Sequence, residues 1–185
     1  MLALAVYFLG PVNEFGPDAP APRVQPPADL MQLSPWLATQ EAQWSDIRPG
    51  TAKHITWATA EGQRTHWAVV YLHGFSASRL ETYPLVHHVA QALEANLFET
   101  RLSGHGRTPE AMGEPSVQDW LADMHEALQV GRLLGDRVLV VGVSTGATLA
   151  TWQAMRPEGQ DQVAYVMISP NLGPKNKKAD VVNMP

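Results

Sequence analysis

Three six-residue runs of almost entirely apolar side chains divide the 185-residue chain: 67–72 (WAVVYL), 138–143 (VLVVGV) and 163–168 (VAYVMI). Side chains alternate between the two faces of a strand, so a strand that is apolar at every position must be covered on both faces. Helical patterns lie between these runs, and strands that alternate with helices are typical of βαβ units. The sequence therefore predicts an α/β fold, a mainly parallel sheet with helices on both faces.

The remaining patterns complete this scheme. Ser34-Pro35 is typical of an N-cap followed by the first residue of a helix. Further strands are predicted at 53–59 and 97–102, and helices at 34–45, 83–95, 117–134 and 145–155. We expect one folded domain from residue 34 to residue 185.

The first nine residues, MLALAVYFL, are all apolar. A membrane-spanning helix needs about twenty such residues, and the segment lacks the basic start and the small-residue cleavage site of a signal peptide. Two interpretations stay open: the end of a signal or anchor segment whose start is missing, or an apolar end that docks on the domain or frays. The first predicts a cell-envelope location, anchored or exported, and the second is compatible with the cytoplasm.

Residues 10–33 contain six of the fifteen prolines, all within residues 11–27. This composition favours an extended spacer over packed structure. The predicted organisation is an apolar segment (1–9), a Pro-rich linker (10–33) and a partial α/β domain (34–185).

Charge and composition exclude several function classes. Thirteen basic and eighteen acidic residues leave a net charge of −5, which provides no basic footprint for nucleic acid. The chain has no cysteine, so disulfides, thiolate nucleophiles and cysteine metal sites are excluded. His87 and His88 are neighbours on a predicted helix, where they point about 100° apart, and are interpreted as a solvated helix surface. No metal and no cofactor are expected.

The segment Gly142-Val143-Ser144-Thr145-Gly146 lies where a buried strand meets a predicted helix. This strand–turn–helix context is that of a nucleophile elbow, in which a sharp turn exposes the serine and requires small neighbours. Gly142 and Gly146 satisfy that requirement, and the helix N-terminus favours developing negative charge. Ser144 is the predicted nucleophile; the alternative is a glycine-rich turn in an unrelated α/β domain.

His73-Gly74-Phe75 directly follows the run 67–72. Acyl transfer needs two backbone N–H donors aimed at one oxyanion, one from the residue after the nucleophile and one from the loop after an adjacent strand. Phe75 and Thr145 would supply these donors, with Gly74 allowing close backbone approach and His73 supporting the loop.

A third glycine-rich segment, Ser103-Gly104-His105-Gly106-Arg107, follows the predicted strand 97–102. It is interpreted as a tight loop without a chemical role, on the rim of the same face. Open α/β sheets place their sites at this carboxyl edge.

Three motifs together resemble the α/β-hydrolase family, and within it the serine esterases and the monoacylglycerol-lipase-like or serine-aminopeptidase-like members. They are LHGFSAS (72–78), RLSGHGRT (101–108) and VGVSTGATLA (141–150), and the resemblance covers about residues 53 to 171. It implies a Ser–acid–His triad, with Ser144 attacking a carboxylic ester or related carbonyl of a small-molecule ester or lipid-like substrate, and it does not specify which substrate. It also implies that 163–168 is the family's sixth strand.

The chain departs from the family in one respect. The triad follows the order nucleophile, acid, histidine, yet all seven histidines precede Ser144, namely His54, His66, His73, His87, His88, His105 and His125. Only three acids follow it: Glu158, Asp161 and Asp180. We expect the N-terminal portion of a hydrolase, truncated after the sixth family strand, without triad acid or base. The alternative is a non-catalytic fragment with at most a binding role. Family geometry argues against His73 or His105 as a substitute base.

Overall fold

The computed structural model of the chain describes residues 24–173. These residues form one five-stranded sheet whose strands are β1 (His54–Thr56), β2 (Thr65–Leu72), β3 (Asn96–Glu99), β4 (Gly135–Val143) and β5 (Val163–Ile168). The spatial order is β1-β3-β2-β4-β5. β1 runs antiparallel to β3, and every other neighbouring pair is parallel. The predicted mainly parallel sheet is confirmed.

Helices cover both faces of this sheet. They are α1 (Leu33–Glu41), α2 (Leu85–Ala92), α3 (Val117–Leu134) and α4 (Thr145–Ala154), with short 3-10 helices at Leu30–Gln32, Glu110–Gly113 and Pro157–Gly159. Val70 and Leu72 of β2 pack in a core cluster with residues of α1, α3 and α4. Val69 and Tyr71 of the same strand pack in a second cluster with α2. The alternation along β2 thus explains why its whole run is apolar.

The folded part begins slightly earlier than predicted. Residues 30–33, assigned to the linker from their composition, form a 3-10 helix and the start of α1. Asp29 caps this turn by accepting a hydrogen bond from Met31 N–H at 3.0 Å. Leu33 is fully buried in the core cluster, and its burial explains why the segment is structured.

β3 is shorter than the predicted strand 97–102 because the chain leaves the ladder after Glu99. Thr100 N–H still donates to Tyr71 O at 3.1 Å, but Leu102 N–H donates to the ring of His73 at 3.1 Å. A side chain therefore replaces the neighbouring strand as acceptor at this point.

Several predictions fall outside the described residues: the apolar segment 1–9, the linker up to residue 23 and the end of the domain from residue 174. Within residues 24–173, no helix combines the length and apolarity needed to span a membrane. The strand that the resemblance numbers as sixth is the fifth of this sheet.

β5 lies at one edge of the sheet, and β4 is its only strand neighbour among the described residues. Its side chains are partly buried or exposed at every position, and Val166 is 44% exposed. β2, by contrast, is fully buried over its last five residues. An apolar interior-type strand therefore stands at a sheet edge.

Candidate functional site

Ser144 occupies the sharp turn between β4 and α4. Its φ is +49°, a left-handed conformation that is uncommon outside glycine. Two backbone hydrogen bonds hold it there: Ser144 N–H donates to Ile168 O at 2.9 Å, and its own carbonyl accepts from Thr148 N–H at 3.0 Å. The strained residue is thus fixed between β5 and the first turn of α4.

The two glycines beside Ser144 are required by close packing. A Cβ on Gly142 would stand 2.6 Å from Gly146 O and 2.7 Å from Ala147 N. A Cβ on Gly146 would stand 2.7 Å from His73 O and would also collide with the Leu72 carbonyl. The turn therefore needs glycine at 142 for the strand to approach the start of α4, and glycine at 146 to pack against the end of β2.

The loop that follows β2 lies directly against Ser144. A Cβ built on Gly74 would be 3.3 Å from Ser144 Cβ and 2.9 Å from Glu81 Oε1. Gly74 N–H donates to Glu81 Oε2 at 2.8 Å, so this N–H is already bonded. The predicted oxyanion loop and the predicted nucleophile therefore lie side by side.

Two hydrogen bonds orient the peptide group between Gly74 and Phe75. Gly74 O is bonded to His73 Nδ1 at 2.9 Å and to Ala77 N–H at 3.3 Å. Because this peptide bond is trans, Phe75 N–H points away from that bonded carbonyl. Among residues 24–173, no hydrogen-bond acceptor engages the N–H of Phe75 or of Thr145. The residue after Ser144 and the residue after Gly74 thus each carry an N–H without an acceptor in this part of the chain.

His73 is a structural residue and not an available base. The side chain is fully buried, and Nε2 accepts from Leu102 N–H at 3.1 Å. That bond places the ring proton on Nδ1, where it donates to Gly74 O. Burial lowers the pKa of His73 to about 4, so the ring is neutral at physiological pH.

The segment Ser103–Arg107 forms a tight loop. Gly104 and Gly106 have φ of +77° and +68°, the left-handed region that favours glycine. His105 is fully buried, its Nδ1 is bonded to Ser103 O at 3.1 Å, and burial lowers its pKa. Its ring lies edge-on to Phe75 at 5.9 Å between centroids. This loop supports the aromatic side of the site.

A layer of buried ion pairs braces that loop from behind, and sequence patterns did not indicate it. Arg101 donates to both carboxylate oxygens of Glu41 at 2.8 Å and to His105 O at 3.1 Å. Burial alone would raise the pKa of Glu41, but the hydrogen bonds and charge of Arg101 outweigh it and the pKa lies below its usual value. Lys53 pairs with Glu126 beside them.

His87 does not lie on a fully solvated helix face as interpreted from the sequence. Its Nε2 is 3.6 Å from the carboxylate of Glu99, which is fully buried at the end of β3. Arg79 donates to the same carboxylate at 2.9 Å. His87 is half-buried because it packs against this acid, whereas His88 is exposed.

No general base or triad acid accompanies Ser144 within residues 24–173. No hydrogen bond reaches its Oγ in this part of the chain. Glu158 and Asp161 precede β5, at the amino end of the strand and away from the site, and Asp180 lies outside the described residues. Within the same range, no three histidine or acidic side chains are grouped so as to hold a metal ion.

Comparisons with known proteins bear on the family and the fold. A family model described as alpha/beta hydrolase matches residues 69–184. A metagenome-derived lipolytic enzyme of the LipS and LipT pair is 25% identical, covers 73% of this chain with a TM-score of 0.61, and is covered over 52% of its own length. Est1E from Butyrivibrio proteoclasticus, solved with ferulic acid, is 14% identical with a TM-score of 0.51, over 64% of this chain and 48% of its own. No curated protein matches. The chain spans about half the length of these solved relatives.

Proposed function

The chain belongs to the alpha/beta hydrolase family, and from this membership we propose that it carries the nucleophile and the oxyanion hole of a serine hydrolase acting on carboxylic esters. One observation carries the proposal. Ser144 occupies a strained turn against the Gly74 loop, and the N–H groups of Phe75 and Thr145 have no acceptor in the described chain. The lipolytic relative supports esters as the substrate class.

In the proposed reaction, Ser144 Oγ attacks the ester carbonyl carbon while a general base takes its proton. The carbonyl electron pair moves onto oxygen, where the N–H groups of Phe75 and Thr145 donate to it. Collapse of this intermediate expels the alcohol and leaves an acyl-serine, which water hydrolyses by the same route. An oxyanion donor of this kind contributes about 3–4 kcal/mol to transition-state stabilisation.

An aromatic wall beside Ser144 supports an apolar, lipid-like substrate. Phe75 is 57% exposed, and its ring packs edge-on to Trp120 at 6.2 Å and to His105. Trp120 is fixed because its indole N–H donates to Ser103 O at 3.0 Å. An exposed aromatic ring on a rigid support favours contact with an acyl or aryl group.

We assign the general base and its acid to polypeptide outside residues 24–173. His73 is bonded at both ring nitrogens, to Leu102 N–H and to Gly74 O. His105 is bonded through Nδ1 to Ser103 O, and its Nε2 is buried without a partner among the described residues. This proposal treats the chain as the N-terminal portion of the enzyme. A cell-envelope location, with residues 1–9 as anchor or export segment, is proposed on their apolar sequence alone.

A fluorophosphonate probe tests the proposal, because it phosphonylates a serine that a general base activates beside an oxyanion hole. A full-length version of the protein, which also contains the segment that carries the base, is treated with the probe and digested, and the modified residue is identified by peptide mass spectrometry. Modification at Ser144 is expected. Modification of another serine in its place, or of none after prolonged exposure, would contradict the assignment.

A second candidate is a non-catalytic chain with a binding role, and the lack of a base near Ser144 in the described residues favours it. Removal of a triad histidine costs about 10⁶-fold in turnover. We therefore expect the 185-residue chain alone to show no Ser144-dependent multiple turnover of p-nitrophenyl esters. A substantial rate that Ser144→Ala abolishes would show that this chain supplies its own base.

A further inference from the structure

We propose that Glu81 is a positioning residue that holds the backbone of the oxyanion loop in place; this inference rests on the proposed function of Ser144. The sequence patterns gave Glu81 no role. It lies on the segment between β2 and α2, outside every motif, and its carboxylate reaches back to the loop that faces Ser144.

The Glu81 carboxylate joins the loop to the sheet. Its Oε2 accepts from Gly74 N–H at 2.8 Å and from the Tyr71 hydroxyl at 2.9 Å. Tyr71 is fully buried in β2, and burial, together with the nearby Glu81, raises the pKa of its hydroxyl, which keeps it a donor. The oxygen that holds Gly74 is thus anchored to a rigid strand.

Gly74 needs such an anchor because glycine has wide conformational freedom. Its carbonyl is bonded to His73 and Ala77, and its N–H is bonded to Glu81, so the peptide groups on both sides are held. Phe75 N–H, the next donor along the chain, is left unbonded and fixed in direction. Without the Glu81 bond, one of the two groups that define the Gly74 conformation is released.

The segment that carries Glu81 is itself fixed. Glu81 N–H donates to Ser78 O at 3.0 Å, and the neighbouring Arg79 pairs with the buried Glu99 at 2.9 Å. A negative charge behind the oxyanion loop does not favour an oxyanion. If Glu81 acted through its charge, Glu81→Gln would therefore increase the rate of Ser144 phosphonylation. If Glu81 positions the loop, the same substitution decreases that rate. The sign of the change separates the two.

The experiment compares Glu81→Ala, Glu81→Gln and Tyr71→Phe with the wild type, all in the full-length version that contains the general base. Glu61→Gln, which removes an exposed carboxylate on the turn before β2, is the matched control. Amide hydrogen exchange by NMR reports on Gly74 and Phe75, and phosphonylation of Ser144 by the fluorophosphonate probe at saturating concentration reports on the site. Because phosphonylation also places an oxygen in the oxyanion hole, it depends on the Phe75 donor.

In Glu81→Ala we expect exchange at Gly74 to accelerate by at least about tenfold and phosphonylation to fall by about ten- to a hundredfold. This fall is smaller than the 10²–10³-fold typical of losing an oxyanion donor outright. Glu81→Gln and Tyr71→Phe should give smaller losses, with probe affinity unchanged, and Glu61→Gln none. If a thermal melt shows that Glu81→Ala is not folded at the assay temperature, the test rests on the near-isosteric variants Glu81→Gln and Tyr71→Phe.

The positioning role would be overturned if amide exchange at Gly74 and Phe75 is unchanged in the Glu81 variants. It would also be overturned if Glu81→Gln is phosphonylated faster than the wild type. Failure of the proposed function has a different signature: the wild type and Ser144→Ala then label equally. In that case the exchange measurement alone decides whether Glu81 holds the loop.

Discussion

Two serines follow neighbouring strands with the same unusual backbone angle, and we propose only one of them as a nucleophile. Ser144 follows β4 and Ser169 follows β5, each with φ of +49°. Ser144 is half-buried against the Gly74 loop, whereas Ser169 is exposed. A left-handed serine after a parallel strand is therefore not sufficient for a site.

The residue that follows each serine explains the difference. Thr145 opens α4 and presents an unbonded N–H beside Ser144. Ser169 is followed by Pro170, which has no N–H to donate. Ser144 therefore has a helix N-terminus and two donors, and Ser169 lacks a donor at the equivalent position.

Removing each hydroxyl in turn gives the largest expected difference. In the full-length version that contains the general base, Ser144→Ala should reduce fluorophosphonate labelling by at least about 10³-fold, since loss of a nucleophile removes most of a serine hydrolase's reactivity. Ser169→Ala should leave labelling unchanged. Quantitative labelling of both variants under identical conditions checks this, and equal loss in the two would erase the distinction between the serines.

A proline after Ser144 should make it resemble Ser169. Thr145 is the first residue of α4, a position that tolerates proline, so Thr145→Pro removes the N–H while keeping the helix. We expect phosphonylation of Ser144 to slow by about 10²–10³-fold. Thr145→Ala, which keeps the N–H, is the control and should label normally. Similar rates for the two variants would remove Thr145 N–H from the oxyanion hole.

His73, which lies buried behind the Gly74 loop, should make the free energy of unfolding depend on pH. His73 has a folded pKa of about 4, below the ordinary value of 6.5, so the unfolded state binds more protons between these values. The free energy of unfolding is therefore highest above about pH 6.5 and falls by up to about 3 kcal/mol as the pH drops to about 4.

Chemical denaturation at several pH values checks this, with His73→Asn as the matched variant because it keeps a donor near Nδ1 and does not titrate. The wild type should lose more stability than the variant between pH 6.5 and pH 4. Parallel curves would mean that His73 is not the titrating group.

The smallest effect on stability concerns the strands that carry the two serines. β4 is interior, whereas β5 has one strand neighbour among residues 24–173 and is apolar, without charge, proline or bulge. Such an edge is a typical site of strand-to-strand association. We expect the chain to self-associate. Val166→Lys should reduce association while changing the free energy of unfolding by about 0.5 kcal/mol or less.

Size-exclusion chromatography over a range of concentrations, with thermal melting alongside, measures both effects. Gln91→Lys adds the same charge on α2, away from the edge, and should not change association. A wild-type chain that stays monomeric with a sharp melting transition would contradict the prediction that the unpaired side of β5 drives self-association.

The sequence predicted the parts of the molecule that follow from local patterns. The bounds of α3 and β5 agree with prediction because a long amphipathic repeat and an uninterrupted apolar run are both unambiguous. The elbow at Ser144 followed from glycines at the junction of a strand and a helix. Such features depend on residues that are close together in the sequence.

The residues that support the site could not be predicted in the same way. Arg101 pairs with Glu41 across sixty residues, and Glu81 meets Gly74 only because the chain turns back after β2. Charged residues in loops carry no periodicity, so nothing local distinguishes Glu81 from the exposed Glu61. The length of β3 was misjudged for a related reason, since His73 takes the place of a strand as acceptor for Leu102.

The hydrogen bond from Ser144 N–H to Ile168 O couples the backbone conformation of Ser144 to the stability of β5. The strained backbone of Ser144 is kept in place partly by Ile168, the last residue of β5, which has one strand neighbour within residues 24–173. Fraying that begins at this edge reaches the serine within a single hydrogen bond, while β2 and β4 remain paired. Any polypeptide that pairs with the free side of β5 would therefore also stabilise the backbone of Ser144. Without such pairing, the amide of Ser144 should be the first in the turn to exchange with solvent.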